Sequence, residues 1–417
     1  MKVRSLTRFV LPFLISSPFN FIQADETAGA PYGDNFLIGD WGGARTSLAD
    51  KGYEFEFIYT QDFYYLDYSD DNLLAQKRTV YLNNSDITMT IDAEKAWGLG
   101  GATFFFYVLG TGGDNPSDFV GDVQTFNNID SPDAWKLHEI WYQQSFLDDK
   151  YSMLFGLYDL NSEFDVTETA GLFSGSSHGI GPDFSQSGAA GPSIFPVVSL
   201  ALRGLVNVTD QTYLQGVVLD GVPGDPNDPN KRNANITLDS TDGVLMNVEI
   251  GHVSKDDDRF HKFALGFWGY SKGKFDKETG LAEDTKNQGA YASADGMIFQ
   301  EGNDSTQGLN AFIRYGFAED KVNDVKTYNG GGLVYTGLFP GRDEDQFGLG
   351  IAIANPTNSF KSANPAADSE TAIELSYFMQ ISPWFAIKPD VQWITHPGMF
   401  NSKPDATVIG VRMELSL

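Results

Sequence analysis

The 417-residue sequence contains no cysteine and few basic residues, with 28 Lys and Arg against 56 Asp and Glu. The absence of cysteine excludes disulfide scaffolds, thiolate zinc sites and cysteine nucleophiles. A formal net charge of −28 repels polyanions, so nucleic-acid binding is excluded as well. Beyond the N-terminus no stretch reaches the roughly 18 consecutive apolar residues that a membrane-spanning helix needs. The chain is therefore neither a nucleic-acid binder nor a helical membrane protein.

The N-terminus has the pattern of an export signal. Three basic residues, Lys2, Arg4 and Arg8, precede a short apolar run that ends in small residues. This order is typical of a signal peptide. We predict that residues 1–24 are removed, that the mature chain begins at Asp25 and that the protein leaves the cytoplasm.

Large apolar side chains recur with a period of two. In the first such stretch and in the last one, one face of the predicted strand carries the following residues: Tyr53, Phe55, Phe57, Tyr59, Ile409, Val411, Met413, Leu415 and Leu417. Segments of about ten residues with this period, separated by turns, are typical of a transmembrane β-barrel. We predict an all-β protein, a closed antiparallel transmembrane β-barrel of about 16 strands over residues 53–417. A large soluble β-sandwich or propeller stays open, because its strands alternate too.

The connections between these strands have unequal lengths. Residues 147–150 form a tight turn, whereas residues 114–133, 221–235, 273–286 and 355–368 are long and rich in acidic residues. Barrels of this kind have short turns on the periplasmic side and long loops outside. The loops 221–235 and 355–368 should therefore face outward.

Two regions do not fit the strand pattern. Residues 25–52 form an N-terminal segment in which Asp40 and Gly52 carry the signals of a short helix. Residues 161–196 are dense in Gly, Ser and Pro and too long for a hairpin turn. We expect one helix before the first strand and an inward fold for the second region.

Several blocks of the sequence resemble the carbohydrate-selective porins of the OprB type. They are Gly39-Asp-Trp-Gly-Gly-Ala-Arg-Thr46, Asp159-Leu-Asn-Ser-Glu-Phe-Asp165, Gly179-Ile-Gly-Pro-Asp-Phe-Ser185, Pro192-Ser-Ile-Phe-Pro196, Glu374-Leu-Ser-Tyr377 and His396-Pro-Gly398. The resemblance runs from about residue 33 to the C-terminus. One departure is Leu157 and Tyr158, where the family generally carries a basic residue.

The resemblance implies a sixteen-stranded barrel in the bacterial outer membrane that lets monosaccharides such as glucose diffuse passively through a charged constriction. Its partners would be these sugars, outer-membrane lipid and lipopolysaccharide, and it could form a homo-oligomer. Two alternatives stay open: a general or cation-preferring porin, and a secreted carbohydrate-binding β-protein.

Enzyme and metal motifs are weak in this sequence. Residues 175–179 fit G-x-S-x-G, but no strand and helix flank Ser177 as a nucleophile requires, and His178 is its direct neighbour. The remaining histidines have no metal-ligand spacing. Residues 225–230 offer oxygen ligands without the spacing of a calcium loop. We predict no enzyme activity, no metal and no cofactor, and a solvated turn at 225–230.

Alternation also selects candidate wall residues of the pore. In the segment around residue 200, leucines face lipid and Arg203 therefore faces the lumen. The same argument selects Asp92, Glu94, Arg412 and Glu414. The strand at residues 135–142 is ambiguous, because both of its faces carry aromatic residues. It contributes three charged or titratable candidates near the presumed constriction: Lys136, His138 and Glu139. For each candidate, a wall charge paired with a neighbour and a substrate contact are equally open.

Charge predicts the ion preference of such a pore. The acidic excess favours small cations and neutral sugars over anions. Arg203 and Lys136 could nevertheless make the constriction locally basic.

Overall fold

The computed structural model describes residues 35–70, 74–224, 236, 238–254, 260–272, 286–302 and 306–417. Within these residues, sixteen antiparallel strands form one closed barrel in which β1 pairs with β16. The strands are β1 Tyr53–Ser69, β2 Ala75–Asp92, β3 Ala102–Gly113, β4 Ala134–Phe146, β5 Tyr151–Tyr158, β6 Ser199–Asn207, β7 Thr212–Asp220, β8 Val244–Ser254, β9 His261–Tyr270, β10 Gln288–Gln300, β11 Gly308–Ala318, β12 Val325–Thr336, β13 Gln346–Pro356, β14 Glu370–Ser382, β15 Phe385–Thr395 and β16 Ala406–Ser416. The predicted fold class is confirmed, and the predicted signal peptide and its cleavage site lie outside the described residues.

Strand alternation gives the barrel two different faces. On β1, Thr60 and Asp62 are buried inside the barrel, whereas Phe63 and Tyr65 are exposed on the outside. Successive side chains of a strand point to opposite faces, so one sequence supplies a polar interior and an apolar exterior. An apolar outer surface is what lipid contact requires.

Connections at the two rims of the barrel differ in length. One rim, which we call the short rim, carries turns such as residues 147–150, 208–211 and 383–384. The opposite rim, the long rim, carries among others residues 114–133, 159–198 and 357–369. The long connections 114–133 and 355–368 that the sequence indicated therefore both lie at one rim, and the tight turn 147–150 lies at the other.

Short helices occupy the ends of strands and the long connections. They are α1 Ala44–Ala49, α2 Ala93–Trp97, α3 Ser117–Val120, α4 Pro182–Ser185 and α5 Asn358–Ala363, and single 3-10 turns lie at Trp41–Gly43, Leu160–Ser162, Glu168–Leu172, Ser176–His178 and Pro397–Met399. In the part of the chain that the structure describes, no helix is long and apolar enough to cross a membrane.

The predicted N-terminal helix is α1, which is shorter than expected. Gly43, with a φ of +95°, directly precedes the helix, and Asp40 instead accepts hydrogen bonds from the main-chain N–H and the hydroxyl of Thr46 at 2.8 and 2.9 Å. Arg45 is buried and donates to the main-chain oxygens of Phe55 and Leu417, both at 3.0 Å. The helix thus ties the first and last strands together at the short rim.

Candidate functional site: the interior of the barrel

Residues 159–198 leave the long rim after β5, cross the interior of the barrel and return to β6. We call this stretch the inward segment. Its side chains include Phe164, Asp165 and Phe184, which are completely or almost completely buried. The inward fold expected from the sequence for residues 161–196 is therefore what the structure shows. An inward loop narrows a barrel of sixteen strands, which would otherwise enclose a wide aqueous channel.

Arg314 on β11 binds two parts of the inward segment, one before its tip and one after it. Its guanidinium donates to Asp165 at 2.9 and 2.6 Å and to Asp183 at 2.5 Å. All three side chains are buried. Burial raises the pKa of Asp165 to about 7, and the nearby Arg314 acts in the opposite direction. Arg314 was not among the residues selected from the sequence, although the alternation of its strand would have predicted that it faces the interior.

Arg203 on β6 holds the start of the same segment. It lies on the inward face, is 1% exposed, and donates to both carboxylate oxygens of Glu163 at 2.9 and 2.8 Å. It also donates to Ser152 at 2.5 Å and to Gln143 at 2.6 Å. Its positive charge is therefore neutralised by the segment itself.

The tip of the inward segment, residues 172–175, reaches the wall opposite β5 and β6. Glu374 on β14 accepts hydrogen bonds from the main-chain N–H groups of Ser174 and Gly175 at 2.6 and 3.0 Å. Lys388 on β15 donates to the main-chain oxygen of Leu172 at 2.9 Å. The segment is thus anchored by charged side chains on both sides of the barrel.

Two glycines of β13 leave room for the inward segment to pack against the wall. A Cβ at Gly348 of β13 would lie 2.5 Å from a methyl carbon of Leu172, and one at Gly350 would lie 3.0 Å from the ring of His178. Their spacing of two residues places both on the inward face. Larger side chains there would push the inward segment away from the wall.

Residues 114–133 also bend into the barrel from the long rim. Glu370 on β14 accepts from the main-chain N–H groups of Val123 and Gln124 at 2.8 and 3.0 Å. In the same loop, burial raises the pKa of Asp122 to about 7. The loop lies at the long rim, as expected for a long connection, and it covers part of the interior.

Arg412 and Glu414 both lie on the inward face of β16. Arg412 donates to the two carboxylate oxygens of Asp62 on β1, both at 2.8 Å, and to Asn128 of the 114–133 loop at 2.7 Å. Glu414 is 2% exposed. Arg412 therefore joins the two strands that close the barrel and also holds a loop.

A β-bulge resolves the ambiguous strand β4. Its pairing with β3 shifts by one residue, so that Tyr107 faces Glu139 while Val108 faces Leu137. The residue without a partner in this register is His138, so Lys136 before the bulge, His138 within it and Glu139 after it all lie on the interior side. All three candidates from this strand are therefore brought together.

Two candidates lie elsewhere. Asp92 is the last residue of β2, and its carboxylate accepts from the main-chain N–H groups of Glu94 and Lys95 at 3.0 and 3.1 Å. Glu94 lies in α2, exposed at the short rim. The expectation that both line the lumen is corrected, because a capped helix ends the alternation at this point.

The enzyme-like motif is part of the packed inward segment. Ser177 and His178 lie in the 3-10 turn Ser176–His178, and the ring of His178 contacts Phe173 and Phe312. No strand enters this turn as a nucleophile elbow requires. Among the described residues, no group of three or more His, Cys, Asp or Glu could hold a metal ion, and the acidic turn 225–230 lies outside them.

These features define a class: a closed β-barrel with an apolar exterior and a charged, loop-narrowed interior, as in outer-membrane porins. Residues 76–417 match the family described as carbohydrate-selective porin, OprB family. The chain belongs to this family, which indicates a channel rather than an enzyme and an outer-membrane protein.

Individual relatives are similar over nearly the whole chain. Porin B of Pseudomonas aeruginosa is 26% identical, over 91% of this chain and 90% of its own length. The putative porin QuiX of Acinetobacter baylyi is 23% identical, over 91% and 93%. The high-pH structure of Pseudomonas putida OprB superimposes with a TM-score of 0.81, at 23% identity, over 94% of this chain and 100% of that chain. This last likeness shows a shared fold.

Proposed function

We propose that this porin lets monosaccharides such as glucose diffuse passively across the bacterial outer membrane. One observation carries the proposal: two connections of the long rim, residues 114–133 and 159–198, are anchored inside the barrel by buried charges. Neutral, hydroxyl-rich solutes can exchange water for hydrogen bonds with such a polar wall, whereas apolar and bulky solutes cannot.

The outer surface and the assembly complete this proposal. The apolar exterior would contact outer-membrane lipid and lipopolysaccharide, and the long rim, with residues 355–368, would face outward. A homo-oligomer stays a prediction. The alternative of a secreted carbohydrate-binding protein conflicts with the apolar exterior of the barrel, because such a surface is stable in lipid and not in water.

Solute flux into proteoliposomes tests the proposal. Wild-type protein should admit glucose faster than a disaccharide, by more than their ratio of free diffusion. Glu374→Ala removes the acceptor of two main-chain N–H groups and should raise the relative flux of the disaccharide. Lys361→Ala, at the exposed rim, is the matched control and should change neither rate. Equal exclusion of both sugars by the wild type would contradict the proposal.

A cation-preferring porin is the second candidate, favoured by the twofold excess of acidic residues. Acidic groups raise the local concentration of cations in a pore. Salt weakens the effect of the acidic groups at the mouths of the pore beyond a distance of about 8 Å. A salt gradient across a planar bilayer should give a reversal potential of cationic sign. Strong anion selectivity would contradict this candidate and leave the sugar proposal intact.

A further inference from the structure

Lys136 differs from the three arginines of the interior in its lack of an acidic partner. Arg203, Arg314 and Arg412 each bind a carboxylate at 2.9 Å or less. Lys136 has no such carboxylate within 4 Å among the described residues. An ammonium group without a partner keeps its charge available to a solute.

The position of Lys136 gives solutes access to that charge. It pairs with Leu109 of β3, whose side chain is buried inside the barrel, so Lys136 points inward as well. Its side chain is only half-buried. An inward-facing residue with exposed surface meets the water of the lumen, and it lies on β4 close to the long rim.

An aromatic ring lies in the same part of the interior as Lys136. His138, two residues from Lys136 on β4, is 2% exposed and therefore packs in the wall without contacting a solute. The ring centroid of Phe195, which is partly exposed, lies 6.3 Å from that of His138. Sugars present apolar ring faces to aromatic side chains and hydroxyl groups to polar atoms.

Asp159, the acid beside His138, binds main-chain groups of the inward segment. Its two carboxylate oxygens accept from the main-chain N–H groups of Asn161 and Phe195, both at 2.8 Å. The distance from Asp159 Oδ2 to His138 Nε2 is 3.8 Å. These contacts orient the start of the inward segment, and Asp159 forms no ion pair with Lys136.

We propose that Lys136 forms a subsite for the carboxylate of an acidic monosaccharide, such as a hexuronic acid, with the ring of Phe195 in the same part of the interior. The proposal deepens the proposed sugar passage and rests on it for the route that the solute takes. A charged hydrogen bond between ammonium and carboxylate is stronger than a bond to a neutral hydroxyl. The subsite should therefore bind glucuronate more tightly than glucose.

Block of single-channel current by glucuronate and by glucose tests the subsite. Lys136→Met should weaken the block by glucuronate about tenfold, which is what the loss of one charged hydrogen bond costs, and should leave the block by glucose within about twofold. Lys136→Arg keeps the charge and should retain the block. Lys77→Met is the control, because Lys77 is exposed and pairs with Asp67, so the block should be unchanged.

The outcomes separate this proposal from the proposed function. Wild-type protein that is not blocked by glucuronate, or a Lys136→Met variant that is blocked as strongly as the wild type, would overturn the subsite. A block that depends on Lys136 in a protein without glucose flux would support the subsite and refute the sugar passage. Heat-dependent mobility on SDS gels verifies that each variant is folded.

Discussion

The inward segment, residues 159–198, and the connection 357–369 leave the same rim and end in different places. The acidic residues of the inward segment bind arginines of distant strands, as Asp165 and Asp183 bind Arg314. In the connection 357–369, Lys361 binds Asp368 at 3.0 Å within the same loop, in solvent. The comparison teaches that a charged loop enters the barrel where the wall supplies a buried partner.

Removing Arg314 should have the largest effect. Arg314→Met leaves Asp165 and Asp183 buried without their cation, which costs about 3 to 5 kcal/mol when one partner of a buried pair is lost. The inward segment should detach. Thermal unfolding in detergent should begin at a lower temperature, and proteases should cleave within residues 159–198.

A triple variant is the control for this prediction. Adding Asp165→Asn and Asp183→Asn to Arg314→Met removes the unpaired charges together with the arginine. Much of the lost stability should return, because neutral replacements of a whole buried ion network are often tolerated. If the single and triple variants were equally unstable, packing and not charge would hold the segment.

Removing Arg203 should have a smaller effect. Arg203→Met leaves one carboxylate, Glu163, without its cation, and that carboxylate keeps the hydrogen bond from the Tyr158 hydroxyl. We expect a loss of about 3 kcal/mol in the free energy of unfolding, the lower end of the range for buried pairs. Chemical denaturation in detergent measures the loss, and a change as large as that of Arg314→Met would contradict the ranking.

The 114–133 loop should respond to pH with a predictable sign. Burial raises the pKa of Asp122 to about 7, whereas a free aspartate has a pKa of about 3.9. Between these two pH values the docked loop therefore binds more protons than the undocked loop. Docking should therefore be strongest below about pH 4 and weaken as pH rises to about 7. Asp122→Asn should flatten this dependence.

Protease cleavage of the 114–133 loop at several pH values measures this effect. The neighbouring Asp130, whose pKa is raised by burial to about 6, contributes in the same direction and should leave a weaker residual dependence in Asp122→Asn. Cleavage that decreases as the pH rises would contradict the prediction.

The smallest effect belongs to the exposed pair of the connection 357–369. Lys361→Ala removes the contact with Asp368, and solvent-exposed pairs contribute little because water and salt screen them. Thermal unfolding should be unchanged within error. A clear loss of stability here would remove the contrast between the two connections.

The barrel itself could be predicted because its signal is local. Alternation along β1 and β16 depends only on adjacent residues, and an antiparallel barrel repeats that signal sixteen times in the described chain. Arg203 and Arg412 were assigned to the interior by the same rule. The rule failed at Glu94, where a helix cap at Asp92 ends the strand.

The partners of the interior charges could not be predicted, because they are far apart in the sequence. Arg314 and Asp165 are separated by 149 positions, and nothing local to either residue selects the other. The bulge in β4, which turns Glu139 to the same side as His138, likewise depends on pairing with β3. A shift of register is a property of two strands and not of one.

The sequence by itself determined the class of the protein, the number and alternation of its strands and the segments that do not fit them, because these follow from side-chain period and turn chemistry. Only the tertiary structure decided which charges are neutralised. Arg203 and Lys136 are both basic wall candidates in the sequence, yet in the folded protein Arg203 pairs with Glu163 whereas Lys136 faces the lumen without an acidic partner. Pairing across a closed barrel depends on distances that exist only once the strands have met.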